Sequence, residues 1–218
     1  MKVVFIGGGA HRYLPVARGI LAENTLMADG EINVYDLNPE RAFDMAKAIA
    51  LTPEYAGVDC DLVHDSSDLE RVLEGADVVC AVLFAGDRKN YEMSRIICGR
   101  HGFIGSDQLS PSGAFLALKG GPIIMNIART MERVCPNAWL LDFANPVAVH
   151  SAAVNNHTRV RCLGVCAGFT NHVWDLNRIL GKDQFANDFT VNVAGVNHLS
   201  FIMRDSRYRD RFLYDVVK

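Results

Sequence analysis

Short apolar runs alternate along this chain with longer stretches whose apolar positions recur every three or four residues, the pattern of strands alternating with amphipathic helices. The first run, Val3-Val4-Phe5-Ile6, passes directly into Gly7-Gly8-Gly9, and an amphipathic stretch follows over residues 13–28. A second run, Ile32-Asn33-Val34-Tyr35, is closed by Asp36. Asn38 and Pro39 then open a helix to about residue 51, since an Asn side chain accepts from first-turn N–H groups and Pro suits the first helical position. A short strand over 60–64 and a helix over 68–73 lead to residues 76–83, apolar on both faces as a buried parallel strand must be. Beyond it come a helix ending near Gly102, a polar loop over 105–113, a long helix over 114–134 and a strand over 139–142. A strand from Arg161 ending at Cys166, a helix over 171–180 and a strand over 189–194 complete the series. This order predicts an α/β fold: a Rossmann-type doubly wound parallel sheet over residues 1–160, then the start of an α+β domain over 161–218.

In such a sheet ligands lie outside the carboxyl ends of the strands, which makes the glycine turn the first place to look. Glycine allows backbone angles and close approach that a Cβ forbids, so Gly7, Gly8 and Gly9, followed by Ala10, His11 and Arg12, can press N–H groups and a helix N-terminus against a diphosphate. Asp36 stands where a dinucleotide fold puts an acid for the ribose hydroxyls, and it favours NAD over NADP because it would repel a 2′-phosphate. Arg12 occupies the place of the fingerprint's third glycine, so the turn alone is also compatible with a strand–helix connection that holds no ligand.

Charge and composition narrow the function classes. With 22 basic against 25 acidic residues and a net charge of −3, no basic surface for nucleic acid stands out. No apolar run approaches the ~20 residues of a membrane span, so neither nucleic acid nor membrane is an expected partner. The six cysteines lack dense disulfide spacing and several sit in apolar runs, which makes a reduced, cytoplasmic protein the simplest reading.

Three later features carry candidate chemistry. The polar loop, with Asp107 and Pro111-Ser112-Gly113, lies at the ligand-binding edge, as does Asn145, which Pro146 restricts to an extended backbone. Cys166 and His198 each fall just past a predicted strand end, and one thiolate with one imidazole suits a divalent transition metal with open positions. Taken singly, each is more commonly a structural residue. Arg88, Lys89 and Arg95 lie where they can meet a phosphate, although a solvated helix face reads the same way.

Together these motifs resemble glycoside hydrolase family 4, the NAD- and manganese-dependent glycosidases and 6-phospho-glycosidases. The glycine turn Gly7 to Gly9, Asp107 with Pro111-Ser112-Gly113, Asn145-Pro146, Gly164-Val165-Cys166 and Gly195-Val196-Asn197-His198 occur in the family's order and span essentially the whole chain. The resemblance implies hydrolysis of O-glycosidic bonds by a redox-neutral route of oxidation, elimination and addition, an exception to the two-carboxylate scheme. It implies NAD as cofactor and Mn2+ or another divalent metal as Lewis acid, with Cys166 and His198 as metal ligands. By the same analogy Asn145 contacts the sugar and Asp107 is a candidate for proton transfer or sugar contact; Arg88, from its charge and place, is a further expected substrate contact. A small-molecule glycoside is then the partner, and a homo-oligomer, dimer or tetramer, is expected.

Two departures bear on this. After its metal-binding cysteine the family commonly carries a side chain that contacts the sugar or aids the leaving group, and here Ala167 offers a methyl group. Family chains are also considerably longer and carry their proposed base beyond the histidine motif, so the second domain is expected to be incomplete. The alternatives are a lactate/malate-type 2-hydroxyacid dehydrogenase, whose Asp-x-x-Arg element Asp175-Leu176-Asn177-Arg178 mimics, and a non-catalytic NAD-binding module. Against the dehydrogenase, that element lies in a predicted helix and Cys166 would have no role.

Overall fold

The computed structural model describes residues 1–218 except Phe185, Asn197, His198 and Lys218, and excepting the side chains of Asn24 and Phe169. Two compact units divide the chain, Met1–Val165 and Cys166–Lys218.

The first unit runs β1 (Lys2–Ile6), α1 (Tyr13–Ala22), α2 (Asn24–Met27), β2 (Gly30–Tyr35), α3 (Pro39–Ala50), α4 (Pro53–Ala56) and β3 (Cys60–Asp65). It continues with α5 (Leu69–Leu73), β4 (Val78–Ala81), α6 (Arg88–Arg100), α7 (Pro111–Val134), β5 (Trp139–Asp142), α8 (Val147–His157) and β6 (Arg161–Gly164). All six strands are parallel, in the order β3-β2-β1-β4-β5-β6, the doubly wound arrangement expected from the alternating pattern. β6 belongs to this sheet, so the first unit continues past residue 160 to Val165.

Successive strand residues face opposite sides, and β1 divides its side chains accordingly. Val3 and Phe5 are buried with Ala17 and Leu21 of α1 and Ala42 and Ile49 of α3. Val4 and Ile6 are buried with Leu73 of α5, Ile124, Ile127 and Met131 of α7, and Val154 of α8. The helices therefore cover both faces, which is why the central strands read as continuous apolar runs. The register pairs Ile6 with Tyr35 and with Ala81, Ala81 with Asp142, and Asp142 with Gly164. These residues form one row of strand ends, and the loops that leave them share one edge.

Several boundaries differ from expectation. The amphipathic stretch over 13–28 is two helices, α1 closing at Ala22 and α2 following. α7 starts at Pro111, three residues early, and runs through Pro122. β6 ends at Gly164, two residues before Cys166. α8, which the apolar pattern does not reveal, occupies 147–157.

The second unit contains α9 (Gly168–Ile179), β7 (Phe189–Thr190), β8 (Val193–Val196), β9 (Leu199–Ile202), β10 (Arg207–Tyr208), β11 (Arg211–Phe212) and α10 (Leu213–Val217). The strand expected over 189–194 is two strands in separate antiparallel sheets, β7 with β10 and β11, and β8 with β9. The break falls at Asn192, whose N–H donates to Ser206 Oγ at 2.8 Å, away from the β7 sheet, while its carbonyl accepts from Met203 N–H at 2.8 Å in continuation of the β8–β9 register. Among the described residues no helix is long and apolar enough to cross a membrane.

Candidate functional site: a crevice along the strand ends

The glycine turn is built by close approach. Gly7 has φ +70°, and a Cβ there would stand 1.9 Å from the carbonyl oxygen of Val82 on the neighbouring strand's exit, so no other residue fits without moving the backbone. Gly9 donates its N–H to Asp36 Oδ2 at 3.0 Å, and a Cβ on Gly9 would crowd Arg41 Cβ at 2.5 Å. Gly8 N–H donates to the Tyr35 carbonyl at 2.8 Å and Ala10 N–H to the Gly7 carbonyl at 3.0 Å. Three amides of the turn are thus spent inside the protein, which leaves His11 and Arg12, both exposed, at the head of α1.

Asp36 is buried, and its Oδ1 accepts the N–H of Asn38 at 2.9 Å. Asn38 in turn caps α3 through Oδ1, which accepts from Glu40 and Arg41 N–H at 3.0 and 3.3 Å. Arg41 donates to the Gly9 carbonyl at 3.1 Å. The acid, the cap and the turn therefore form one connected unit, and each carboxylate oxygen retains capacity for a further hydrogen bond. Beneath it the buried Tyr13 hydroxyl reaches the carbonyls of Ile6 and Cys80, each at 2.7 Å, with its ring stacked on Phe5. Burial pushes this phenol well above its ordinary range, as suits a neutral donor to carbonyls.

A crevice of about 940 Å³ runs along the row of strand ends. At one end lie Tyr35, Asp36, Asn38 and Arg41, in the middle Gly7, Ala10 and Arg12, and at the other Tyr91, Asp107 and Asn145. Gly8, Gly9, His11 and Arg88 do not line it. Arg88 is the exposed first residue of α6.

At the far end, Asn145 donates through Nδ2 to Asp107 Oδ2, and Gln108 donates through Nε2 to Asn145 Oδ1. The Asn145–Pro146 peptide is cis. The loop that carries Asp107 is tied at Ser106: its carbonyl accepts from the hydroxyls of Ser110 and Ser112 at 2.8 and 2.7 Å, and its Oγ accepts from Gln108 N–H at 3.2 Å. Tyr91 adds a phenol to this end, raised by burial and then by the charge of Asp107.

Sequence reasoning missed a second pair, fully buried, of which His150 lines the crevice. Asp142, the last residue of β5, accepts from Ala144 N–H at 2.9 Å through Oδ1. Its Oδ2 lies 3.2 Å from Nδ1 of His150, which is also 3.1 Å from the Ala144 carbonyl. His150 lies in α8, the helix the pattern did not reveal; a histidine four residues after the Asn145-Pro146 strand exit is the sequence signal that could have found it.

In the second unit, Cys166 Sγ accepts the N–H of Gly168 at 3.4 Å. His198 lies outside the described residues, and among those described no group of three His, Cys, Asp or Glu side chains converges as a metal site would require.

A parallel sheet in this order, with a glycine turn joined to an acid at the neighbouring strand end, defines the dinucleotide-binding class of α/β folds. The model of the family 4 glycosyl hydrolases matches residues 2–182, and the chain belongs to that family. It is 29% identical over 211 residues to the 6-phospho-beta-glucosidase of Escherichia coli K12, covering 93% of this chain and 45% of that protein. A solved 6-phospho-alpha-glucosidase from gut microorganisms, in complex with NAD and Mn2+, superposes with a TM-score of 0.83 at 18% identity over 99% of this chain and 49% of its own. The 6-phospho-beta glucosidase of Thermotoga maritima, with manganese, NAD+ and glucose-6-phosphate, also gives 0.83, at 21% identity over 100% of this chain and 52% of its own. At these identities the structural likeness establishes the fold. The chain spans about half the length of the curated relatives it matches.

Proposed function

We propose that this chain supplies the cofactor-binding part of a glycosidase that hydrolyses O-glycosidic bonds by redox-neutral oxidation, elimination and addition, with NAD and a divalent metal, Mn2+ foremost. The single observation that carries the reading is the crevice itself, which runs from a ribose-type acid at one end, past the glycine turn, to a carboxylate–amide pair at the other. Family membership favours it over the 2-hydroxyacid dehydrogenase, and the intact far-end pair favours it over a module that merely binds NAD.

Bound NAD would supply a reversible hydride acceptor and the metal a Lewis acid. Gly7, with no Cβ, admits a diphosphate close to the backbone, and Arg12, at the head of α1 and on the crevice wall, offers it an amide and a guanidinium, with His11 beside it. Gly8, Gly9 and Ala10 shape the turn. Asp36, already oriented by Gly9 and Asn38, accepts from the adenosine ribose hydroxyls. Asn145 orients a sugar hydroxyl, and Asp107, whose Oδ2 is engaged by Asn145, keeps Oδ1 to accept a proton. Arg88, exposed and off the crevice wall, is a contact for a phosphate that projects outward. Cys166 and His198 are the proposed metal ligands; the Cys166 sulfur already acts as an acceptor, the polarity a thiolate ligand needs. Residues 166–218 would then open a substrate and metal domain. The protein is read as cytoplasmic and homo-oligomeric, dimer or tetramer, with a small-molecule glycoside as partner.

Elimination beside a transient ketone requires cleavage of the C–H bond at sugar carbon 2. The test is hydrolysis of nitrophenyl glycosides, with and without a 6-phosphate, in deuterated water with NAD and manganese. Deuterium at carbon 2 of the released sugar without accumulation of NADH is the expected result. Hydrolysis with protium fully retained there, or steady NADH production on a hydroxyacid, would contradict the proposal.

A further inference from the structure

His150 is 1% exposed and lines the crevice, yet its Nε2 has no hydrogen-bond partner in the protein. Its other nitrogen is fully committed. Nδ1 faces two acceptors, Asp142 Oδ2 at 3.2 Å and the Ala144 carbonyl at 3.1 Å, so Nδ1 carries a hydrogen, and in the neutral tautomer this fixes, Nε2 is the acceptor. Asp142 is 0% exposed and its second oxygen is held by Ala144 N–H, so the ring is clamped in one orientation.

Nε2 itself is buried against α7. Across from it on α7 stands Gly120, and a Cβ there would lie 2.9 Å from Nε2 and 3.0 Å from Cε1, with Ala85 Cβ next at 3.9 Å. Gly120, Ala85 and His150 all line the crevice. With no Cβ on Gly120, α7 packs directly against the ring edge that carries this acceptor, at the wall of the crevice. Buried polar atoms are rarely left unpaired, so the missing donor belongs to the occupant of the crevice.

The anchor's place decides which part of that occupant is near. Asp142 ends β5, on the far side of β1 and β4 from Asp36, which follows β2 and marks the adenosine end. We propose that His150, oriented by Asp142 and packed against Gly120, accepts a hydrogen bond from the nicotinamide-ribosyl half of a dinucleotide in the crevice, from a ribose hydroxyl or the carboxamide. This rests on the dinucleotide reading above.

Calorimetry with NAD and with AMP, which carries the adenosine half alone, separates the two ideas. Gly120→Ala sets a Cβ 2.9 Å from Nε2 and so pushes the imidazole off its place; it should weaken NAD about tenfold, the loss of roughly one hydrogen bond, while AMP affinity stays unchanged. His150→Phe combined with Asp142→Asn, which leaves no buried carboxylate unpaired, should show the same split. In the parent chain labelled with 15N-histidine, saturating NAD should move the Nε2 resonance of His150 and AMP should not. Parent-like NAD affinity in Gly120→Ala, an equal loss for NAD and AMP, or an Nε2 resonance unmoved by NAD overturns the inference while the dinucleotide reading stands. A parent chain that binds neither nucleotide overturns both.

Discussion

Asp36 and Asp142 both sit at ends of parallel strands, yet only the first is legible in sequence. Asp36 follows an apolar run and answers a glycine turn, a spacing with a known mechanical reason, and its hydrogen bond to Gly9 joins the two as expected. Asp142 reads as the last residue of a strand, and its partner His150 lies in a segment with no helical signature. The cysteines separate in a similar way. Burial pushes the thiol of Cys162 up to about 12, so near neutral pH it stays protonated and cannot serve as a thiolate ligand. Cys166 is half-buried, with its sulfur accepting a backbone N–H. Cys166→Ser and His198→Ala are each expected to weaken manganese binding at least about tenfold in a metal titration, and Cys162→Ser to leave it unchanged. Unaltered titrations in both ligand variants would make the pair structural.

At the scale of elements, the clearest successes are helices with chemical start signals. Asn38 and Pro39 open α3 as read, with the Asn side chain accepting two first-turn amides. Asn38→Ala should cost about 1 kcal/mol, lowering the melting temperature by roughly 2–4 °C, while Asn38→Asp should retain the cap; equal melting of parent and alanine variant would mean that the cap is carried by other contacts. α8 escaped notice for a physical reason. Its buried face is Val147, His150 and Val154, so a histidine stands in the middle of the apolar stripe while alanines and valines spread over the other faces. Periodicity cannot register a stripe whose central member is chosen for a crevice. The strand over 189–194 failed differently, because the ties between Asn192, Met203 and Ser206 are long-range and leave no local mark.

For the whole molecule, the alternation of strands and helices determined the order and direction of the sheet, and the sheet's register then aligns the exits after Ile6, Tyr35, Ala81 and Asp142 along one edge. The crevice follows from that alignment, and its two chemically distinct ends follow from which loops leave which strands. Asp107 and Asn145 were visible as polar residues at the right edge, but their mutual hydrogen bond and the support from Gln108 depend on a loop closed on Ser106, which spacing does not reveal. The central claim is that this crevice is a dinucleotide site whose acid selects the cofactor. Calorimetric titration of the parent chain and of Asp36→Ala with NAD and NADP tests it most directly. The account expects NAD to bind the parent at least about tenfold more tightly than NADP and the gap to narrow in Asp36→Ala; equal affinities in the parent, or no binding of either, would contradict it.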